Sequence, residues 1–298
     1  MNYTFHQLQI FLSVVKHQSI TRASEAMNMS QPALSIQLKN FQNQFDIPLI
    51  EYAGKRLQVT EFGHTVAQVA NNILEEAEVL QYKTKQFRNL FAGKLRISSA
   101  STGKYVIPYF LSGFMDLHPS VDLVLDVSNK TTVIKHLLAN DIDFALVSVL
   151  PHDLDLEEEV LMDNRLYMVS KKASIDPRLP LLFREDGSAT RKAMDYYFSD
   201  NPVYKRLVLT SNEAVKQAVI AGIGYSILPL IGIKNELQNG TLSIVQAPGL
   251  PIITRWRLVW LKKKTLSPVA QAYLDFVREH KAEIIQSQFD WYEDYQDK

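Results

Sequence analysis

The chain has 298 residues, 46% of them hydrophobic, with 32 basic and 32 acidic side chains and no cysteine. This length allows two or three domains with sizeable cores, zero net charge confines any nucleic-acid footprint to a local patch, and the lack of cysteine excludes disulfides, thiolate metal sites and thiol redox switches. There is no basic start leading into an apolar signal core, and no run nears the ~18 apolar residues of a membrane span, so a soluble, cytoplasmic protein is expected.

Phe5, Leu8, Phe11, Leu12 and Val15 recur at helical spacing and predict a support helix. Residues 19–45 then read as two short helices joined by a turn at Met27–Asn28–Met29, with Thr21, Arg22 and Ser24 opening the first. Ser30 is placed to cap the second, where Pro32 costs no intrahelical donor. On a 3.6-residue period Leu34, Leu38, Phe41 and Phe45 share one stripe. Pro32, Ala33, Ser35, Ile36, Lys39 and Asn43 face away from it, and this outer face is polar, short and free of acid. It suits the major groove of DNA.

Next come Ile47–Pro48–Leu49–Ile50, a polar tip at Ala53–Gly54–Lys55–Arg56 and a return strand Leu57–Gln58–Val59–Thr60, which predict a β-hairpin wing. Lys55 and Arg56 are either spare surface charges or a grip on phosphate or minor groove; beside a recognition helix the grip is preferred. Up to Thr60, five basic residues (Lys16, Arg22, Lys39, Lys55, Arg56) stand against three acidic ones (Glu25, Asp46, Glu51), a bias that a dimer doubles. The expected DNA-binding set is Thr21, Arg22, Ser30, Gln31, Pro32, Ala33, Ser35, Ile36, Lys39, Lys55 and Arg56.

From Glu61 to about Leu90 there is no proline, and Val66, Ala70, Ile73, Ala77, Leu80, Thr84 and Phe87 form a heptad seam. Such a helix needs a partner. It either packs on its own chain or pairs with its twin, and the second reading predicts a dimer on a two-fold DNA site. Past the Phe91–Ala92–Gly93 break, strands are predicted near 95–98, 121–127, 143–149, 165–170, 206–210, 242–245 and 255–261. Helices are predicted near 104–117, 131–140, 188–198, 212–221 and 268–285. The alternation argues an α/β domain with a mainly parallel sheet.

The chain resembles the LysR-type transcriptional regulators over nearly its whole length. The carrying residues are the support helix around Leu8–Phe11–Val14–Val15, then Ala23 to Met27, Ser30–Gln31–Pro32–Ala33–Leu34–Ser35, and the wing ending Val59–Thr60–Glu61–Phe62–Gly63. Further on, Arg184–Glu185–Asp186–Gly187–Ser188–Ala189–Thr190–Arg191 and the stretch Ser211 to Val219 resemble one large branch of that family. The resemblance implies a winged helix-turn-helix DNA-binding domain at 1–60, a linker and dimerisation helix at 61–92 and an effector-binding α/β domain at 93–298. That last domain would be periplasmic-binding-protein-like, type 2, with one subdomain at 94–164 plus 265–298 and another at 165–264. The implied partners are double-stranded promoter or operator DNA, a small-molecule or inorganic-anion effector, further copies of the chain as a dimer or tetramer, and RNA polymerase, with no membrane. Two departures are visible: Ile36 stands where many relatives carry a basic residue, and Tyr52 where many have arginine. Ile36 either meets a thymine methyl or is a tolerated exposed apolar side chain. The tail 288–298, with Trp291, Tyr292 and Tyr295, fits no family motif and is either disordered or docked on a neighbouring subunit.

Ligands of open α/β sheets bind at the carboxyl ends of strands, near helix N-termini. Ser99, Ser101, Thr102, Ser148, Thr210 and Ser211 occupy such positions and form the expected effector-binding set, with Asn129 and Lys130 as weaker candidates. Each could equally be an N-cap; six hydroxyls converging from separate loops would exceed what capping needs. The seven histidines (His6, His17, His64, His118, His136, His152, His280) lack metal-ligand spacing, and no metal or cofactor is expected. An enzyme on this fold is conceivable, but there is no nucleophile elbow or P-loop, and Gly222–Ile223–Gly224 follows a helix where a dinucleotide fingerprint precedes one. A solute-binding transport component would leave residues 1–60 without use. A regulator with a closed or empty cleft is the nearer alternative.

Overall fold

The computed structural model describes residues 2–54, 56–86, 92–151, 153–199, 205–293 and 295, in two compact units, Met1–Leu90 and Phe91–Lys298. Among the described residues no helix is long and apolar enough to cross a membrane.

The first unit opens with α1 (Phe5–His17), α2 (Ile20–Ala26) and α3 (Gln31–Gln42). Each begins at a side chain that accepts from an otherwise unpaired first-turn amide: Thr4 from Gln7, Ser19 from Arg22 and Ser30 from Ala33. Leu8, Phe11 and Val14 of α1, Ala23 of α2 and Leu34, Leu38 and Phe41 of α3 bury together. Phe5, expected on that face, is instead 57% exposed at the first position of α1, while Ile10, outside the expected set, is buried. The wing is β1 (Ile50–Ala53) paired antiparallel with β2 (Arg56–Val59) through a two-residue connection, Gly54 carrying the positive φ of 65°.

Thr60 then starts α4 (Glu61–Gln86) by accepting from Gly63 at 2.9 Å while donating to the Pro48 carbonyl at 2.7 Å. Gly63 is required there, since a Cβ would stand 2.1 Å from the Leu49 carbonyl oxygen. The α4 seam divides in two. Val66, Ala70 and Ile73 pack into the core of their own unit, whereas Leu80 is 68% exposed. The first half of the expected dimerisation seam is therefore covered by its own chain, because α1 lies along it; Phe87 lies outside the described residues.

The second unit comprises β3 (Gly93–Ala100), a short helical turn (Gly103–Tyr105), α5 (Ile107–Leu117), β4 (Val121–Ser128), α6 (Lys130–Leu138) and β5 (Phe144–Val147). There follow β6 (Leu156–Ser170), β7 (Leu181–Arg184), α7 (Ala189–Tyr197), β8 (Arg206–Leu209), α8 (Asn212–Ile220) and β9 (Ser226–Pro229). A turn at Leu230–Gly232, α9 (Lys234–Gln238), β10 (Ser243–Ile244), β11 (Ile252–Leu261), α10 (Pro268–Gln288) and α11 (Asp290–Glu293) complete it. Strands β6 and β11 are long and antiparallel, and their register shifts between Trp256 and Arg257. One end of this ribbon continues through β5 to β3 and β4; the other carries β9 and β10. Only β3–β4 and β3–β5 are parallel in that sheet, so the mainly parallel expectation is corrected. The chain returns along the crossing ribbon, and every pairing that involves β6 or β11 is antiparallel. Parallel β7–β8 forms a separate two-stranded sheet.

The tail docks on its own unit. Phe289 meets the rings of Tyr109 and Phe110, and the Tyr292 hydroxyl accepts from the Arg165 amide at 2.7 Å. The Arg165 guanidinium donates to the Tyr292 carbonyl and lies over the Tyr292 ring. Burial pushes the Tyr292 phenol above its ordinary range.

Candidate functional site

Two sets of polar side chains stand out, one on each unit. On α3 the buried stripe Leu34–Leu38–Phe41 turns Gln31, Pro32, Ala33, Ile36 and Lys39 to solvent, with Ser35 half-buried beside them. Ile36 is 59% exposed. Thr21 and Arg22 at the start of α2 are also exposed, while Ser24 turns inward and donates to the Thr21 carbonyl. The helix is braced from behind: Gln7 of α1 donates to Gln37 at 3.2 Å, and Tyr3 stacks against Phe45 and meets Phe41 edge-on. A stiff helix with a neutral-to-basic outer face can place amide and hydroxyl groups against base edges and its lysine near phosphate. Lys55 lies outside the described residues; Arg56 begins β2.

In the second unit the carboxyl ends of β3 and β7 and the start of α8 meet. The Ser101 hydroxyl accepts from Arg184 at 3.3 Å and from Asn212 at 3.1 Å. Arg184 is 2% exposed and is complemented by the neighbouring Glu185, to which it donates twice, at 2.7 and 2.8 Å. Asn212 Oδ1 is buried without a partner among the described residues. Thr102 is buried and lines a cavity of about 10 Å³ with Tyr105, Asn212 and Lys216, room for about one water. Nearby, Thr131 at the start of α6 approaches Gly187, whose φ of +85° and missing Cβ allow the contact; a Cβ would fall 2.5 Å from the Thr131 hydroxyl.

Lys130 is a buried cation. Its ammonium donates to the Leu150 carbonyl at 3.4 Å, and among the described residues no carboxylate lies within ion-pair distance. Burial, aided by the Lys192 ammonium, pushes its pKa down to about 8. The cleft thus holds a compensated guanidinium, hydroxyl acceptors and an unpaired carbonyl, with a buried ammonium on the α6 start that reaches Gly187: a setting for a small anion with a donor group.

The expected hydroxyl set only partly converges. Ser101 and Thr102 come together on Asn212. Ser99 is fully buried and donates to the Ala100 carbonyl; Ser211 caps α8 by accepting from Ala214; Thr210 is exposed, and Ser148 is buried at the end of β5. Asn129 caps α6 through Thr132. The residues not anticipated are Arg184, Glu185 and Asn212. Their signal was an arginine and an acid closing the apolar run Leu181–Phe183, a place where a charge needs a partner.

Ser98, Asp126 and His136 are also close, but Ser98 at 3.3 Å and Asp126 at 3.5 Å both face the same His136 nitrogen, Nδ1. A Ser–His–Asp relay uses the two nitrogens separately.

Residues 5–64 match the family model described as bacterial regulatory helix-turn-helix protein, lysR family, and residues 88–282 match the LysR substrate binding domain. The chain is similar to the HTH-type transcriptional activator CmpR of Synechocystis sp., with 32% identity over 94% of this chain and 96% of that protein. Among solved structures, the regulatory domain of Synechocystis PCC6803 CcmR in complex with 2-PG aligns with a TM-score of 0.57 at 30% identity, covering 63% of this chain and 97% of that one. Full-length CbnR complexed with its target DNA shares the fold, with a TM-score of 0.60 at 19% identity over 93% of this chain and 99% of that one. With a braced recognition helix, a wing and a substrate-binding unit all matched, the chain belongs to the LysR family of DNA-binding transcriptional regulators, which are not enzymes.

Proposed function

We propose that this regulator answers to a small anion held between the Ser101–Thr102 turn, Arg184, Asn212 and the start of α6, and that the anion's binding alters how the DNA-reading units are presented to a promoter. The buried Arg184 beside Ser101 is the observation that carries this reading, because an internally paired guanidinium at a strand end is a ready exchange partner for a carboxylate or phosphate. A relative's regulatory domain is described in complex with 2-PG, 2-phosphoglycolate, an effector of this chemistry. Regulation would proceed by a population shift, the anion favouring one arrangement of the two ends of the β6–β11 ribbon. In this reading the sensor divides into 94–164 plus 265–298 and 165–264, and the assembly is a cytoplasmic dimer or tetramer that bends its promoter.

DNA reading is assigned to Thr21, Arg22, Ser30, Gln31, Pro32, Ala33, Ser35, Ile36 and Lys39, with Lys55 and Arg56 on backbone. Gln31→Ala with Ser35→Ala is expected to lower operator affinity at least tenfold in a gel-shift assay; unchanged affinity would remove the recognition-helix assignment. Ser101→Val with Thr102→Val is expected to weaken 2-phosphoglycolate at least tenfold, as read by thermal shift, while sparing DNA binding. A response undiminished in that variant removes the cleft assignment.

A further inference from the structure

A groove of about 390 Å³ opens beside the tail, and the cleft reading makes no use of it. Its size is that of a small-molecule site. Its walls come from three directions: Lys104 and Tyr109 from the segment after β3, Lys216 and Lys234 from α8 and α9, and Trp291 from the tail. It is therefore built from both ends of the β6–β11 ribbon and closed by the C-terminal segment that matches no family motif.

The three lysines are not alike. Lys216 is compensated, 3.1 Å from Glu213 and 2.8 Å from Glu236, and it also donates to the Gly232 carbonyl. Lys104 lies over the Tyr105 ring at 5.0 Å, and Lys234 over the Trp291 ring at 4.6 Å. Neither has a carboxylate within ion-pair distance among the described residues. An aromatic face orients an ammonium without neutralising it. Glu236 lines the groove as well but is held by Lys216, and Glu213, also held by Lys216, faces Lys104 at longer range. The three lysines still outnumber the carboxylates, and two aromatic-oriented ammonium groups without an ion pair call for added negative charge between them.

We propose that this groove is a second ligand site, separate from the Ser101–Arg184 cleft, that takes a compact dianion or polyanion of the phosphate or polycarboxylate class. Tyr105 and Lys216 form the partition, since they also line the small cavity that reaches Thr102 and Asn212. Occupancy of the groove holds Lys104 and Lys234 together and so biases the same two ends of the sheet that the cleft anion would bias, which couples the two sites.

The experiment is a titration of the full-length protein with pyrophosphate and, separately, with citrate at fixed ionic strength, following tryptophan fluorescence and thermal stability. Trp291 lines the groove while Trp256 and Trp260 are buried in β11, so a saturable fluorescence change is expected that Trp291→Phe removes. Lys104→Ala with Lys234→Ala should weaken the anion at least tenfold, and Ser101→Val with Thr102→Val should alter it less than twofold. Should the double lysine variant lose its fold, the single variants Lys104→Gln and Lys234→Gln each carry part of the loss. Tighter pyrophosphate than citrate assigns the phosphate class, and the reverse the polycarboxylates. Absence of a saturable response to either anion, or an undiminished response in the lysine variants, overturns the proposal; loss through Ser101 and Thr102 instead returns the anion to the cleft.

Discussion

On α3, Gln31, Pro32, Ala33, Ile36 and Lys39 stand in solvent above a fully apolar stripe, whereas in the sensor Arg184, Ser101 and Asn212 are held to one another and to Glu185. The first region keeps its polar groups outside the fold and presents them to whatever arrives. The second has drawn its polar groups inside, so an incoming ligand must exchange with bonds already made. The head can therefore change its outward residues at little cost in stability, while the cleft cannot change one member without disturbing the rest.

The sharpest break of this comparison is in the apolar support of the head. Phe41 is fully buried and its ring meets Phe11 at 5.2 Å and Phe45 at 5.1 Å; Phe41→Ala should cost about 3–5 kcal/mol and abolish operator binding, as read by urea denaturation and gel shift. In the cleft, Glu185→Ala strands the Arg184 charge in the interior and should cost about 3 kcal/mol, with the loss partly recovered when Arg184 is changed to Met in the same chain. A double variant no more stable than Glu185→Ala would show that the pair is not a unit.

Lys130 gives a pH-dependent difference between the regions. Its folded pKa of about 8 lies below the ordinary 10.5, so the fold is penalised while the group is protonated in both states, and the penalty is relieved as pH rises from 8 towards 10.5. Lys130→Met should therefore stabilise the sensor by about 1–2 kcal/mol at pH 7 and by less at pH 10. An anion paired with this ammonium should bind best below pH 8 and weaken by up to about tenfold per unit above it, a trend absent from the Met variant. The smallest effect is at Ile36: Ile36→Ala should shift stability by less than about 0.5 kcal/mol while relaxing preference at one A·T position of the operator.

The head was legible because each of its decisions is local. Ser30 caps the amide of Ala33 three residues on, and Leu34, Leu38 and Phe41 follow one helical period. The sensor was legible in outline only. The strand expected at 165–170 begins at Leu156, so Glu157, Glu158 and Glu159 lie inside β6, where Arg257 pairs with Glu158 and Arg278 and Lys281 pair with Glu159. The four-residue strands β7 and β9 are too short for a period to show, and which strands run antiparallel depends on the long β6–β11 return. Of the expected hydroxyls, Ser99 and Ser211 went to a neighbouring carbonyl and a helix cap, uses that one sequence cannot tell from ligand contact. The α4 seam is periodic in the sequence, but the period cannot say which chain covers it, and Ala70 is buried in the core of its own unit.

Glu185 gives the cleft a built-in rival. Tethered one residue from Arg184 and bonded to it twice, its carboxylate is present at an effective concentration on the order of millimolar or more. Any anion that engages this guanidinium competes with that internal dose. On the proposed cleft reading the half-response point is thereby raised, which would tune the regulator to metabolites that accumulate in bulk and leave it unresponsive to traces.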